Sequence, residues 1–282
     1  VLVTGASGFL GTYYSKWISP EKINLIKGTV SQNIPGFKKF SSSYGDIIDV
    51  LKDDEVTQIV HFASVIPKSY ESATFKEIFL PNIEMMNNLY EFALKNKLKK
   101  FIYISGFGTM TNKTELKLED FYTFSKLCGE HFISLFNYKG IESVSLRVSA
   151  PYGEFLERKN VINLFVNKAL GNEDIPIFGS GKREQNFIHA EDVCRAINLS
   201  LNSSVSGTYD IVSPNNVSML SLAKLVIEVT GSKSNIVFNG DADPQEDFRP
   251  EYDHSRAYDD LNFQTEYDLR NGLKKYIDWV KK

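Results

Sequence analysis

The chain opens with VLVTGASGFLG, a short apolar run that passes directly into Gly5, Gly8 and Gly11. Val1–Val3 read as a strand and Phe9–Ile18 as the helix after it, which leaves the glycines in the strand-to-helix turn. Such a turn constrains the fold because each glycine has a separate task. Gly5 permits the tight reversal, Gly8 lets backbone N–H groups approach a pyrophosphate, and Gly11 lets the helix pack closely. The helix N-terminus, opening at Phe9, adds positive potential at the same point. Gly5, Gly8, Phe9 and Gly11 are therefore candidate contacts for a dinucleotide. The spacing is G-x-x-G-x-x-G rather than G-x-G-x-x-G, and glycine-rich turns also occur with no ligand, so the stretch needs support from elsewhere in the chain.

With 282 residues, 42% of them hydrophobic, the chain can build one large core or two smaller ones. Its net charge of −3, with acids and bases interspersed, argues against a nucleic-acid partner held by a basic surface. No apolar run approaches the ~20 residues that span a bilayer, so no membrane partner is expected. No secretory signal precedes the first strand, and a cytoplasmic enzyme is the expectation. The chain begins inside that strand, which implies a few preceding residues. Cys128 and Cys194 fall in helical patterns, and with four scattered histidines they form neither a disulfide framework nor a zinc cluster. They read as buried thiols, and no metal is expected.

Apolar strand-like runs alternate with helical patterns through the first half. Ile23–Ile26, Gln58–Phe62, Lys100–Ser105 and Ser143–Val148 read as strands, separated by helices near Asp46–Lys52, Phe75–Lys95 and Glu119–Tyr138. This order predicts an α/β fold, a Rossmann-type doubly wound parallel sheet whose ligands bind beyond the C-terminal strand ends. After Pro151 the elements shorten: a helix at Val161–Leu170, a loop with Gly179 and Gly181, and a helix from about Glu191. Gly207–Val212 reads as a strand that returns to the main sheet. The expected division is a dinucleotide-binding domain over 1–150 with a returning segment near 187–212. A smaller, interleaved substrate-binding part takes 151–186 and 213–282.

Tyr122 and Lys126 form Y-x-x-x-K on a helix, where residues four apart share a face. A free phenol has a pKa of ~10, and a neighbouring ammonium favours the phenolate, which suits a general base or acid at a carbonyl. The same pair also arises by chance on helix surfaces. Its context adds a resemblance. TGASGFLG, Gly45-Asp46, HFAS at His61–Ser64, Asn82, FIYIS at Phe101–Ser105, YTFSKLCGE at Tyr122–Glu130, RVSAPYG at Arg147–Gly153, FIHAEDV at Phe187–Val193 and GTYDIVSP at Gly207–Pro214 occur in this order. In this the chain resembles the extended short-chain dehydrogenase/reductase family, specifically its nucleotide-sugar epimerases, dehydratases and reductases, over nearly its whole length.

The resemblance implies NAD or NADP as cofactor and a nucleotide-diphosphate sugar as substrate. It makes Tyr122 the acid/base, with Lys126 serving both the phenol and the nicotinamide ribose. Asp46 and Ile47 would meet adenine, Ala63 would line the cofactor groove, and Arg183 and Arg249 would take the substrate diphosphate, although both arginines also read as exposed charges. It further implies a homodimer through the helices at Phe75–Lys95 and Glu119–Tyr138. Met85, Met86, Leu89, Phe124 and Phe132 are candidate contacts there, with core packing as the alternative.

The chain departs from the family pattern in three places. Gly106 stands where relatives carry a Ser or Thr that bonds the reacting oxygen; Ser105, Thr109 or Thr123 are candidate replacements. Phe107 and Gly108 stand where dehydratases carry an acidic pair, which argues against elimination. At the expected end of the second strand Ile26 is followed by Lys27, Gly28 and Thr29, with no acid for a ribose 2′-hydroxyl; Lys27 would suit the 2′-phosphate of NADP or simply face solvent. Three functions follow from this sequence: a nucleotide-sugar 4-epimerase working through a transient 4-keto sugar, an NADPH-dependent 4-keto-sugar reductase, and a non-catalytic dinucleotide-binding protein.

Overall fold

The computed structural model describes residues 1–18, 24–30, 33–69, 73–107, 110–112, 115–116, 120–157 and 160–282. Ile23, Gly108, Thr109 and Glu119 lie outside the described residues. In chain order the elements begin with β1 (Leu2–Thr4), α1 (Phe9–Trp17), β2 (Ile26–Thr29), β3 (Phe37–Lys39), α2 (Ile47–Val50) and β4 (Gln58–His61). A π-helical turn, Phe75–Phe79, leads into α3 (Leu80–Lys95), β5 (Lys100–Gly106), β6 (Met110–Asn112), β7 (Glu115–Leu116) and α4 (Phe121–Tyr138). Then come β8 (Glu142–Val148), β9 (Ala150–Tyr152), α5 (Val161–Leu170), β10 (Ile175–Ile177), β11 (Glu184–His189) and α6 (Ala190–Leu201). The last are β12 (Gly207–Ile211), β13 (Asn216–Ser218), α7 (Met219–Thr230), β14 (Ile236–Phe238), α8 (Ser255–Leu261) and α9 (Leu269–Val280).

Seven parallel strands form the central sheet in the order β12-β8-β5-β4-β1-β2-β3. Alternation along each strand feeds two cores. Leu2, Ile59, Phe101 and Tyr103 pack with α2, α3 and α4 through Ile47, Met85, Leu89 and Phe136. Val3, Val60, Ile102, Val144 and Leu146 pack with α1, α6 and α8 through Tyr14, Val193, Ile197 and Leu261. Both faces are thus covered, as a parallel sheet requires. A third core joins α5, α7 and α9 through Phe165, Val166, Leu222, Val226, Leu273 and Tyr276. Beside it, β9, β11 and β13 make a small mixed sheet, and β10 pairs with β14.

Local differences from the sequence reading have local causes. The second strand runs Ile26–Thr29 rather than Ile23–Ile26, and Gly28 fits inside it because a Cβ there would lie 2.4 Å from the Phe40 ring. β3, with the sequence FKK, shows no apolar alternation because it is the outermost strand, where lysines discourage further pairing. The helix expected over Phe75–Lys95 divides at Pro81, which lacks the N–H needed for an α-type bond back to Glu77. At the opposite sheet edge Arg256 donates to the carbonyls of Thr208 (3.1 Å) and Ser206 (3.2 Å), covering β12. Among the described residues no helix is long and apolar enough to cross a membrane, and no three His, Cys, Asp or Glu side chains cluster as a metal site.

Candidate functional site

The strand order reverses between β1 and β4, so the crevice for a ligand lies at their C-terminal ends. Gly5 occupies that point with φ +65°, and a Cβ there would lie 2.7 Å from the Ala63 backbone nitrogen. At Gly11 a Cβ would lie 2.2 Å from the Gly5 carbonyl oxygen, because α1 packs directly on the turn. The fold itself therefore demands both glycines. Gly8 differs. It starts α1 at φ −80°, and a Cβ would meet only the Gly5 oxygen, at 3.3 Å, among the described residues. No side chain caps α1, so its N-terminal N–H groups have an anion-binding geometry with Phe9 as the first helical residue. The Ala6 N–H donates to the Gly28 carbonyl (3.1 Å) and the Ser7 and Thr29 hydroxyls stand 3.0 Å apart, which tie the turn to β2.

The placement of Lys27 at the end of the second strand is corrected by the strand's shift to Ile26–Thr29. It pairs with Val3 inside β2, its ammonium sits 5.4 Å from the Phe37 ring centroid, and the strand ends at Thr29. No carboxylate stands at Thr29 or Val30. Asp46 accepts two bonds from the Ser41 N–H, at 2.8 and 3.0 Å, which order the segment ahead of α2. Ile47 is a core residue, 2% exposed, and its N–H donates to the Tyr44 carbonyl at 3.1 Å, so a contact to adenine through that N–H would displace an existing bond.

Tyr122 and Lys126 sit on one face of α4, whose start is fixed by Asp120: its carboxylate accepts the Thr123 N–H and the Thr123 hydroxyl, both at 2.8 Å. Thr123, a candidate replacement for the missing Ser/Thr, is therefore a capping residue with its hydrogen committed. Lys126 is 7% exposed, donates to the Ile104 carbonyl at 3.0 Å and lies 5.8 Å from the Tyr122 ring centroid. Burial pushes its amine down to about 8, with Glu130 pulling partly upward. Asn82 of α3 holds this region to the loop after β4: it accepts the Val65 N–H (2.7 Å) and donates to the Val65 carbonyl (3.1 Å) and the Ser125 hydroxyl (3.0 Å). Ser125 in turn donates to the Tyr122 carbonyl at 2.7 Å.

Ser105 has a different task from the one expected. Its hydroxyl donates to Glu130 at 2.7 Å, and a serine has one hydrogen to give, so it is not available to a reacting oxygen. Arg147 grips the same carboxylate in a fork, Nε to Oε1 at 2.9 Å and Nη2 to Oε2 at 2.7 Å. This buried pair locks α4 to β8 behind the site. Sequence reading missed Glu130, although the signal was present: Tyr122, Lys126 and Glu130 recur at intervals of four along one helix stripe. Gly106 ends β5, and the Phe107 ring packs edge-on against Tyr252 at 4.5 Å, so an aromatic contact occupies the position of the dehydratase acid.

Arg183 and Arg249 are both engaged within the chain. Arg183 pairs with Asp243 (2.9 Å) and donates to Gln245 (3.2 Å); Arg249 stands 3.8 Å from Glu184 and donates to the Glu246 and Phe248 carbonyls. They lie on the segments flanking β11 and preceding α8.

The sequence pattern of the NAD dependent epimerase/dehydratase family matches residues 1–212, and the chain belongs to that family. It is 24% identical over 310 residues to a dTDP-glucose 4,6-dehydratase of Streptomyces niveus, covering 100% of this chain and 92% of that protein. It is also 24% identical over 305 residues to a putative UDP-glucose 4-epimerase of Methanocaldococcus jannaschii, covering 100% and 98%. A UDP-glucose 4-epimerase of Thermotoga maritima, solved with UDP-glucose, superposes with a TM-score of 0.84 at 20% identity over 99% of this chain and 98% of that one.

Proposed function

We propose that this member of the family is a nucleotide-sugar 4-epimerase that works through a transient 4-keto sugar, with NAD or NADP as cofactor. The observation that carries the reading is the buried Lys126 ammonium beside Tyr122, at the same sheet end as the uncapped start of α1. The residues suit a dinucleotide: room at Gly8, a helix start at Phe9 with no side-chain cap, and a cation at Lys126 for the ribose. A bound nicotinamide supplies the acceptor and donor for the hydrogen on C4. Tyr122 takes the proton of the 4-hydroxyl and returns it to the same oxygen after the 4-keto sugar has turned its other face to the nicotinamide. Lys126 favours the phenolate in the first step and holds the ribose throughout. Ser105, Glu130 and Arg147 fix the helix that carries both. Asp46 would contact adenine, and Ala63, whose backbone stands against Gly5, would line the cofactor groove. Arg183 and Arg249 are the cations for the substrate diphosphate, whose phosphate oxygens replace Asp243 and Glu184 as their partners.

One observation favours a second reading, 4-keto-sugar reduction with NADPH. With no carboxylate at Thr29 or Val30, the ribose position does not select NAD. Tyr122 then acts once, as the acid. Incubation of the purified protein with UDP- and dTDP-hexoses and NAD, followed by NMR of the sugars, tests the two. The C4 epimer without net nicotinamide reduction is the expected result. Stoichiometric NADPH oxidation by a 4-keto sugar without epimer formation selects the reductase, and failure to bind either dinucleotide overturns both.

The protein is also proposed to pair as a homodimer through α3 and α4. Phe75, Phe121 and Phe124 are 48%, 39% and 36% exposed and pack around Phe79, which stacks with Phe124 at 4.8 Å and Phe75 at 5.1 Å and meets Phe121 edge-on at 6.3 Å. Exposed aromatic clusters of this kind mark association surfaces. Of the residues suggested by sequence, Met85, Met86 and Leu89 are core, at most 2% exposed, and take no part. Phe124→Asp is expected to convert the dimer to a folded monomer in light scattering; a wild-type monomer at micromolar concentration would contradict the pairing.

A further inference from the structure

The side chain beneath Lys126 has no assigned role, yet the fold is built around it. The Tyr103 ring centroid lies 5.0 Å from the Lys126 ammonium, nearer than that of Tyr122 at 5.8 Å. The ring also stacks on His61, with centroids 5.8 Å apart and planes at 18°. His61 is in turn fixed by Thr4, whose hydroxyl oxygen stands 2.6 Å from Nδ1. On the helix side, a Cβ at Gly129 would lie 2.3 Å from the Tyr103 hydroxyl oxygen and 2.4 Å from the ring carbon bearing it. Glycine is a poor residue for a helix interior, and here it has a reason: it lets α4 close over the ring, one turn beyond Lys126.

We infer that Tyr103 is a positioning residue for Lys126, its aromatic face forming the seat that keeps the buried ammonium charged and aimed at Tyr122 and the cofactor ribose. An ammonium carries three donors, and a desolvated cation over an aromatic face gains electrostatic stabilisation that an aliphatic side chain cannot give. The surrounding charges suit this arrangement. Burial pushes His61 down to about 3, with the Lys126 charge as the second cause, so the ring behind Tyr103 is neutral and adds no opposing cation. Burial also pushes the Tyr103 phenol well above its ordinary range, so it serves as a neutral face. The anionic group facing the site from α4 is Glu130, and Arg147 of β8 already grips it.

The inference rests on the reading of Lys126 as partner of phenol and ribose, but its test does not require turnover. Fluorinated phenylalanines at position 103 keep the shape of the ring while weakening its face stepwise. The Lys126 amine is titrated by nitrogen NMR in cofactor-free protein, with its signal identified by its loss in Lys126→Met. NADH and NADPH affinities are measured alongside. Tyr103→Phe is expected to retain the wild-type midpoint, and each added fluorine to lower it. Tyr103→Leu, where folded, is expected to lower it by about one unit, equivalent to a tenfold change in protonation equilibrium. Cofactor affinity is expected to follow the same order. An unchanged midpoint across the fluorinated series would overturn the inference. A falling midpoint in a protein that binds no dinucleotide would instead retain Tyr103 as the ammonium's seat and overturn the cofactor reading.

Discussion

Tyr122→Phe is expected to leave folding and dinucleotide affinity nearly intact while lowering turnover by about 100-fold or more, since positioned acid–base groups contribute ~10²–10⁴. The substitution removes one oxygen and no packing. The helix it sits on is held elsewhere: by Asp120 at its start, by Asn82 through Ser125, and by the Glu130–Arg147 fork. Ser105 and Thr123 offer no substitute donor, because both hydroxyl hydrogens are already committed. Lys126→Met is expected to be comparably damaging and also to weaken cofactor binding. The wild type should lose affinity on alkalinisation through about pH 8, where the buried amine discharges; below that pH the ammonium is present. Turnover by rapid mixing and affinity by fluorescence titration separate the two variants. Full turnover in Tyr122→Phe would remove the phenol from the chemistry.

Replacement of Gly8 by valine is expected to weaken NAD and NADP binding at least tenfold, about 1.4 kcal/mol, in a protein that remains folded. Its φ of −80° suits any residue, and the Gly5 oxygen at 3.3 Å needs to yield by only a few tenths of an ångström. The fold therefore does not demand glycine at this position, and on the proposed reading its task is to admit the pyrophosphate. Gly11→Val provides the contrast. Its Cβ would overlap the Gly5 oxygen at 2.2 Å and the Ala6 Cα at 2.8 Å, so stability should fall as well as binding. Thermal melting and dinucleotide titration, run on both variants, distinguish the cases. Unchanged titrations in folded Gly8→Val would remove the pyrophosphate from the turn.

The parallel sheet and the Tyr122–Lys126 stripe were legible because both follow from short-range periodicity. Apolar runs alternate with helical patterns, and residues four apart on a helix must share a face. The glycine turn was legible for a similar reason, although the sequence did not separate Gly8, where the fold leaves room for a Cβ, from Gly5 and Gly11, which the chain itself requires. What was not legible depends on distant partners. Ser105 is bonded to a residue 25 positions away, and the Arg183 carboxylate partner lies beyond β14. The end of β2 lies past Lys27 because Gly28, a weak strand residue by itself, is where the Phe40 ring packs too closely for any Cβ. The short strands β3, β9 and β13 carried too few residues to show a period.

The central claim is that Tyr122 and Lys126 drive oxidation and re-reduction at C4 of one bound sugar. A nucleotide hexose deuterated at C4, incubated with NAD and followed by NMR, tests it most directly. The wild type is expected to give the C4 epimer with deuterium retained at C4 and none released to solvent, and Tyr122→Phe to do so at a rate lower by about 100-fold or more. Wash-out of the label into water, or equal rates in the two proteins, would contradict it.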